Sequence, residues 1–282
     1  MTTLLADPIF VTALVGVLLV AIPCSACGCF LHIQNNSLFG ETIAHGCLPG
    51  VYFAFLCEGS RHVLWLTMGA AASGVLSSLL VSWFMTRTRM KRDAALASVL
   101  SGMYGVGIVA LSWIQSQGLP NQNGLESLFF GNAASISTED IQVIACMCAT
   151  ILGLLLVGGK RMITSSFDWN FSRTLGFKPQ RQRMLLHALV AMSVAIGIQS
   201  VGALLVAALL IVPPAAARLV THSLGRMTCI SALVSVLAAF FGTLASASLP
   251  NMPTGPSVVL SLTALTCTAA AWRKLRNIQG AS

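Results

Sequence analysis

Six stretches of the chain carry no Asp, Glu, Lys or Arg: 8–40, 62–86, 94–125, 141–159, 184–217 and 227–272. Each is long enough for one bilayer-crossing helix of about 20 residues, and the longest for two. In hydrocarbon the backbone must satisfy its own hydrogen bonds, so only helices and closed barrels can span. Barrel strands alternate apolar and polar residues, whereas these runs are continuously apolar. The chain therefore reads as an all-α polytopic membrane protein, a single transmembrane domain over 1–282. Charged residues make up only 9% of it, about a third of the share in a soluble domain.

The basic residues orient the spans. Arg87, Arg89, Lys91 and Arg92 form one group, and Lys160, Arg161, Arg173, Lys178, Arg181 and Arg183 a second. Arg218 and Arg226 flank a third loop, and Arg273, Lys274 and Arg276 end the chain. Only Arg61 of the 16 Lys and Arg residues lies elsewhere. The positive-inside rule puts these three loops and the tail in the cytoplasm. The segments 117–138, which carries Glu126, and 249–254 then lie outside. Passes at 9–33, 41–57, 62–86, 94–116 and 139–158 precede a cytoplasmic loop at 160–183. Residues 184–217 leave and return, turning near Gly197–Gly202, and 227–248 and 255–272 complete nine passes. Eight is the alternative if the hairpin or the first span is irregular. The first residues carry no Lys or Arg and no small-residue cleavage site, so the first run reads as a retained span. The formal charge of +8 belongs to short interhelical loops and does not point to nucleic acid.

One acid interrupts this pattern. Glu41 lies in an apolar setting, with His45 one helical turn later, and i, i+4 spacing stacks them on one face. An ionisable group at membrane depth costs roughly 3 kcal/mol on the insertion scale and usually handles an ion, a proton or a substrate. A core histidine that only bonds its neighbour is the alternative. His187, Gln199 and Tyr104 are other polar groups within spans, and His187, one turn from Arg183, reads first as packing. Pro23, Pro49-Gly50 and Pro213-Pro214 suggest broken helices, which membranes tolerate where the backbone lines a cavity or is buried in protein; packing kinks are the alternative, and the reading taken for Pro23. The nine cysteines sit in or beside apolar runs. Cys24, Cys27 and Cys29 could hold a soft metal, but small residues there more often let helices approach.

Four stretches together resemble a known family. FGETIAHGCLPG (39–50) is similar to its GD(A/T)LSHAxLPG segment, and SLFFGN (127–132) with STED (137–140) to its LFGxxxxxxxxDL stretch. SFDWNFSRTLG (166–176) is similar to SFDxxxAxxxG, and VGALLVAALLIVPPAAAR (201–218) to VGxLLVxALLIxPAAxAR. The turn Pro253-Thr254-Gly255-Pro256 also fits. The chain thus resembles the membrane permease subunits of bacterial ATP-binding-cassette importers for zinc, manganese and iron(II), relatives of the vitamin B12 and siderophore permeases. It departs in having Glu41 where the family usually has Asp, and no arginines between the first two spans.

The resemblance implies a type II importer-like bundle in a bacterial inner membrane. It implies a second permease copy or paralogue, a cytoplasmic ATPase dimer and an external metal-binding protein. It implies a transported ion (Mn, Zn or Fe) met by Glu41 and His45 between two copies, with no permanently bound cofactor. Carboxylate oxygen and imidazole nitrogen suit all three ions. The chain has no G-x-x-x-x-G-K-[ST], so ATP hydrolysis falls to a partner. The loop 160–183, with Phe167, Trp169, Phe171, Leu175 and Phe177 among basic residues, is the natural coupling element; an interfacial anchor on lipid headgroups is the alternative. Glu126, Glu139 and Asp140 could pair with the delivery protein. Two other classes remain: an ion-coupled secondary carrier, for which no internal repeat is visible, and an intramembrane metallo-enzyme, which lacks HExxH and a third acid.

Overall fold

The computed structural model describes residues 8–59, 62–118, 136–167, 169–248 and 252–279, and all regular structure among them is helical. In order the helices are α1 (Pro8–Ile33), α2 (Leu38–Glu58), α3 (Val63–Arg87), α4 (Arg92–Ser116) and α5 (Thr138–Phe167). There follow α6 (Trp169–Thr174), α7 (Pro179–Val201), α8 (Ala203–Val220), α9 (Leu224–Ser248) and α10 (Thr254–Gln279). Eight of these are long and apolar enough to cross a membrane. The ninth long helix is α2, whose 21 residues span about 31 Å at 1.5 Å per residue. Glu41, His45 and Glu58 are what dilute its hydropathy.

The bundle is organised around α1 and α7. In the most apolar window of each, 72% of residues are buried, against 22% for α5 and α10. α2 runs between α7 and α8 on one side and α3 and α4 on the other. Close approach of α2 and α3 depends on small residues. A Cβ at Gly50 would strike the Gly69 carbonyl, and one at Gly46 the Ser77 hydroxyl. Ser73 Oγ donates to the Gly46 carbonyl at 2.6 Å. Small residues one turn apart are how helices pack in lipid, where hydrophobicity supplies no driving force between them.

The hairpin expected within 184–217 is present. α7 ends and α8 begins at Gly202, whose φ of 88° and ψ of 157° lie in a region open essentially to glycine alone. Gly197 faces Val206 across the turn and Val20 of α1. The break expected at Pro49-Gly50 is absent, as is one at Pro213-Pro214, while Pro23 sits within its helix as a packing residue would. Pro23, Pro49 and Pro213-Pro214 all lie inside continuous helices. Each removes one N–H, a loss that neighbouring helices make tolerable in a membrane bundle. The segment 160–183 also differs from an irregular loop. α5 runs on to Phe167, and its 30 residues exceed the roughly 20 needed to cross hydrocarbon. α6 and a turn at Gly176 (φ 77°) then lead into α7. Arg161 lies over the Phe177 ring at 5.7 Å, while Phe171 and Leu175 are 54% and 51% exposed.

Candidate functional site

Glu41 and His45 lie in the first turns of α2, each half-buried. They share a face, close enough for the carboxylate charge to act on the imidazole. Phe39, Ile43, Ala44 and Cys47 between and around them are buried in the core, so α2 presents an apolar face inward and this pair sideways. The His45 ring meets the Tyr104 ring of α4 edge to face, with centroids 5.2 Å apart and planes at 86°. His45 Nδ1 is buried and has no hydrogen-bond partner. Pro49 has no N–H to give to the His45 carbonyl, its i−4 position. His45 therefore brings an unsatisfied ring nitrogen and a backbone oxygen without its helical donor to one place.

The face of α4 beside this pair is open. Tyr104 is 39% exposed, and added Cβ atoms at Gly102 and Gly105 would meet nothing within 4 Å. A shallow groove of about 530 Å³ runs there between α2 and α4, past Phe53, Ser101, Gly105, Val109 and Trp113. Among the described residues no three His, Cys, Asp or Glu side chains converge to hold a metal. Among the described residues, one chain thus offers two side-chain ligands at an uncovered helix face.

Other polar residues singled out above are built differently. His187 is 7% exposed, shares a 2.9 Å hydrogen bond between Nδ1 and Ser78 Oγ, and stacks on Phe39 with centroids 4.1 Å apart. The Gln199 amide bonds Thr67 Oγ1 at 2.8 Å, tying α7 to the start of α3. Cys24 and Cys27 contact Ser193 through their sulfurs at 3.7 and 3.5 Å in the core, and all nine cysteines are free thiols.

Asp140 has a structural task. Its carboxylate accepts from Ser137 N–H at 3.0 Å, and Ser137 Oγ accepts from Asp140 N–H at 3.2 Å. This reciprocal pair is a capping box that starts α5; the Ser137-x-x-Asp140 spacing carried that signal. Glu126, most of the segment 117–138 and residues 249–251 of the second outer turn lie outside the described residues, as do the side chains of Glu139, Phe167 and Trp169. Tyr104, which abuts His45, had no sequence signal beyond being polar within a span.

A model of the ABC 3 transport family matches residues 6–273. The manganese transport system membrane protein MntC of Bacillus subtilis is 38% identical over 252 residues, 89% of this chain. The chain spans 58% of that protein's length. The zinc transport system membrane protein TroC of Treponema pallidum is 34% identical over 262 residues, 93% of this chain and 88% of TroC. Among solved structures, PsaBC from Streptococcus pneumoniae in complex with Fab aligns with a TM-score of 0.82 at 27% identity, covering 93% of this chain and 91% of that one. The motifs at 39–50, 127–140, 166–176 and 201–218 fall within a match that runs almost end to end, and the chain belongs to the ABC 3 transport family.

Proposed function

We propose that the chain is the permease subunit of an ATP-driven importer of divalent transition-metal ions, manganese, zinc or iron(II), in a bacterial inner membrane. Glu41 and His45 line the path and touch the ion in transit. The observation that carries this reading is the His45 ring: its Nδ1 is buried without a partner, beside a carboxylate, on a face that none of the described helices covers. A buried, unsatisfied nitrogen is costly unless something pairs with it. Relatives named for manganese and zinc transport support the substrate class.

Two ligands bind an ion weakly, which suits passage rather than storage. A second permease copy across the open α4 face would double the set to four. The segment 160–183, with Phe171 and Leu175 exposed, is the surface offered to an ATPase partner, since the chain has no phosphate-cradling loop of its own. The ends 117–138 and 249–254 would face the delivery protein.

The test is uptake of radioactive manganese and zinc in cells lacking the native permease, with membrane insertion checked by blot. Glu41→Gln and His45→Ala should each abolish uptake and leave insertion intact, because removing an embedded charge does not hinder insertion. Glu41→Asp should retain part of the activity. Near-normal transport by the Glu41→Gln, His45→Ala double variant would show that the pair only packs.

A further inference from the structure

Each proline inside a helix leaves the carbonyl four residues earlier without its N–H donor. Pro23, Pro49, Pro213 and Pro214 lie inside helices, and so free the carbonyls of Leu19, His45, Leu209 and Leu210. Three of these stand among apolar groups. The Leu210 oxygen lies against Gly28 of α1, where a Cβ would strike it, and a glycine Cα–H is a weak donor to such an oxygen. Leu19 and Leu209 pack in the hydrophobic core.

His45 differs. Glu41, His45 and Pro49 follow one another at i, i+4 along one strip of α2, and a helical carbonyl points toward the residue four places on. The freed oxygen therefore lies on the strip that carries the carboxylate and the imidazole. The proline ring crowds that oxygen and turns it away from its helical line. Facing this strip, α4 gives Tyr104 to the His45 ring and Gly107 to Pro49. A Cβ at Gly107 would come within 3.3 Å of Leu48 Cβ and 3.5 Å of Pro49 Cδ, so α4 passes close there without a side chain. The neighbouring carbonyl, that of Gly46, accepts from Ser73 Oγ of α3 at 2.6 Å. No side chain among the described residues donates to the His45 carbonyl. The α3 side of α2 is thus supplied with a donor, and the α4 side is not.

We propose that the His45 carbonyl, freed by Pro49, is a third ligand to the ion in transit, and that it makes the site select manganese over zinc. The inference rests on the reading of Glu41 and His45 as the path. Two oxygens and one nitrogen make a harder donor set than carboxylate and imidazole alone. Carbonyl and carboxylate oxygens suit manganese(II), whereas imidazole suits zinc. A carbonyl released from its helix also lets a membrane protein hold a cation at depth without a further buried charge. Pro49 is a positioning residue here, acting only through the oxygen that it frees.

The test is uptake of radioactive manganese and zinc, offered together, by cells lacking the native permease. The wild type should take up manganese in preference. Pro49→Ala restores the N–H and closes the helical bond on the His45 carbonyl. It should cut manganese uptake at least about tenfold, the loss of one charge-assisted contact. Zinc uptake should stay within about threefold of wild type, because the carboxylate and the imidazole remain. Lactic acid placed at position 49 by amber suppression has the alanine side chain and no N–H, and should return the manganese preference. If Pro49→Ala does not elute as a folded permease, Pro49→Val and its hydroxy-acid counterpart carry the same comparison. A wild type that prefers zinc would overturn the proposal. So would a lactic acid variant that behaves like Pro49→Ala, since the effect would then belong to the lost proline ring. Equal loss of both metals would mean a changed helix bend and would overturn it too. Unchanged uptake by Pro49→Ala, with transport abolished in the Glu41→Gln, His45→Ala double variant, would sink this inference alone. Near-normal transport by that double variant would sink the reading beneath it, and this inference with it.

Discussion

His187 and His45 stand on adjacent packed helices, α7 and α2. His187 is almost fully buried, spends Nδ1 on Ser78, keeps Nε2 buried without a hydrogen-bond partner and rests its ring on Phe39. His45 is half-buried, touches Tyr104 by its edge and leaves Nδ1 without a partner. In the first case the fold uses imidazole as a polar packing piece that joins α2, α3 and α7. In the second it holds imidazole by its backbone and by one aromatic neighbour, half-buried beside a carboxylate. The contrast separates a residue that holds the bundle together from one that the bundle holds out.

The sharpest way to break this comparison is to move α2 itself. Gly50→Val places a branched side chain against the Gly69 carbonyl and Ser73, where backbone cannot yield. We expect no folded permease in detergent, judged by size-exclusion chromatography of a fluorescent fusion. A normal elution profile would mean that the α2–α3 crossing is looser than the small-residue contact implies.

Next in size is an exchange of phenotypes between the two histidines. His187→Ala removes a ring from a tight junction and strands the Ser78 hydroxyl, so it should cost about 2–4 kcal/mol of stability. Metal uptake per folded molecule should stay within about twofold of wild type, since the ring lies outside the proposed path. His45→Ala should do the reverse, with a stability change under about 1 kcal/mol and uptake lost. Thermal melts of the purified permease, read beside uptake, check both. A large drop in melting temperature for His45→Ala would erase the distinction.

The smallest effect is expected at Tyr104. Tyr104→Ala frees the His45 ring to sample other rotamers, and an edge-to-face aromatic contact contributes about 0.5–1.5 kcal/mol. Uptake should fall about three- to tenfold if that contact positions the ligand. Tyr104→Phe keeps the ring and should restore most of it. Failure of Tyr104→Phe to rescue would assign the role to the hydroxyl instead.

Much of this was legible in residues. Continuous apolar runs forced helices, because hydrocarbon offers the backbone no other partner. Glu41 stood out because an acid in such a run is expensive. The turn at Gly202 was visible as a glycine between two spans whose ends both carry arginine. The prolines misled: they signal a missing N–H, but whether a helix breaks there depends on what packs beside it. Asp140 taught something else. Its carboxylate caps α5 through Ser137, a task that the Ser-x-x-Asp spacing signals and that was not read from it.

By itself the amino-acid order determined the class of solvent, the places of the long apolar helices, and the motifs that tie the chain to its family. These are sums over local properties: hydropathy along a run, charge between runs, spacing within a turn. Only the tertiary structure decided which of two embedded histidines is tied to another helix, because that depends on whether a helix distant in sequence brings a hydroxyl within 3 Å. It also decided that Arg92 and Arg183, 91 positions apart, line one cavity. Contacts between distant segments follow from how small residues let helices cross, and no window along the chain contains both sides of such a crossing.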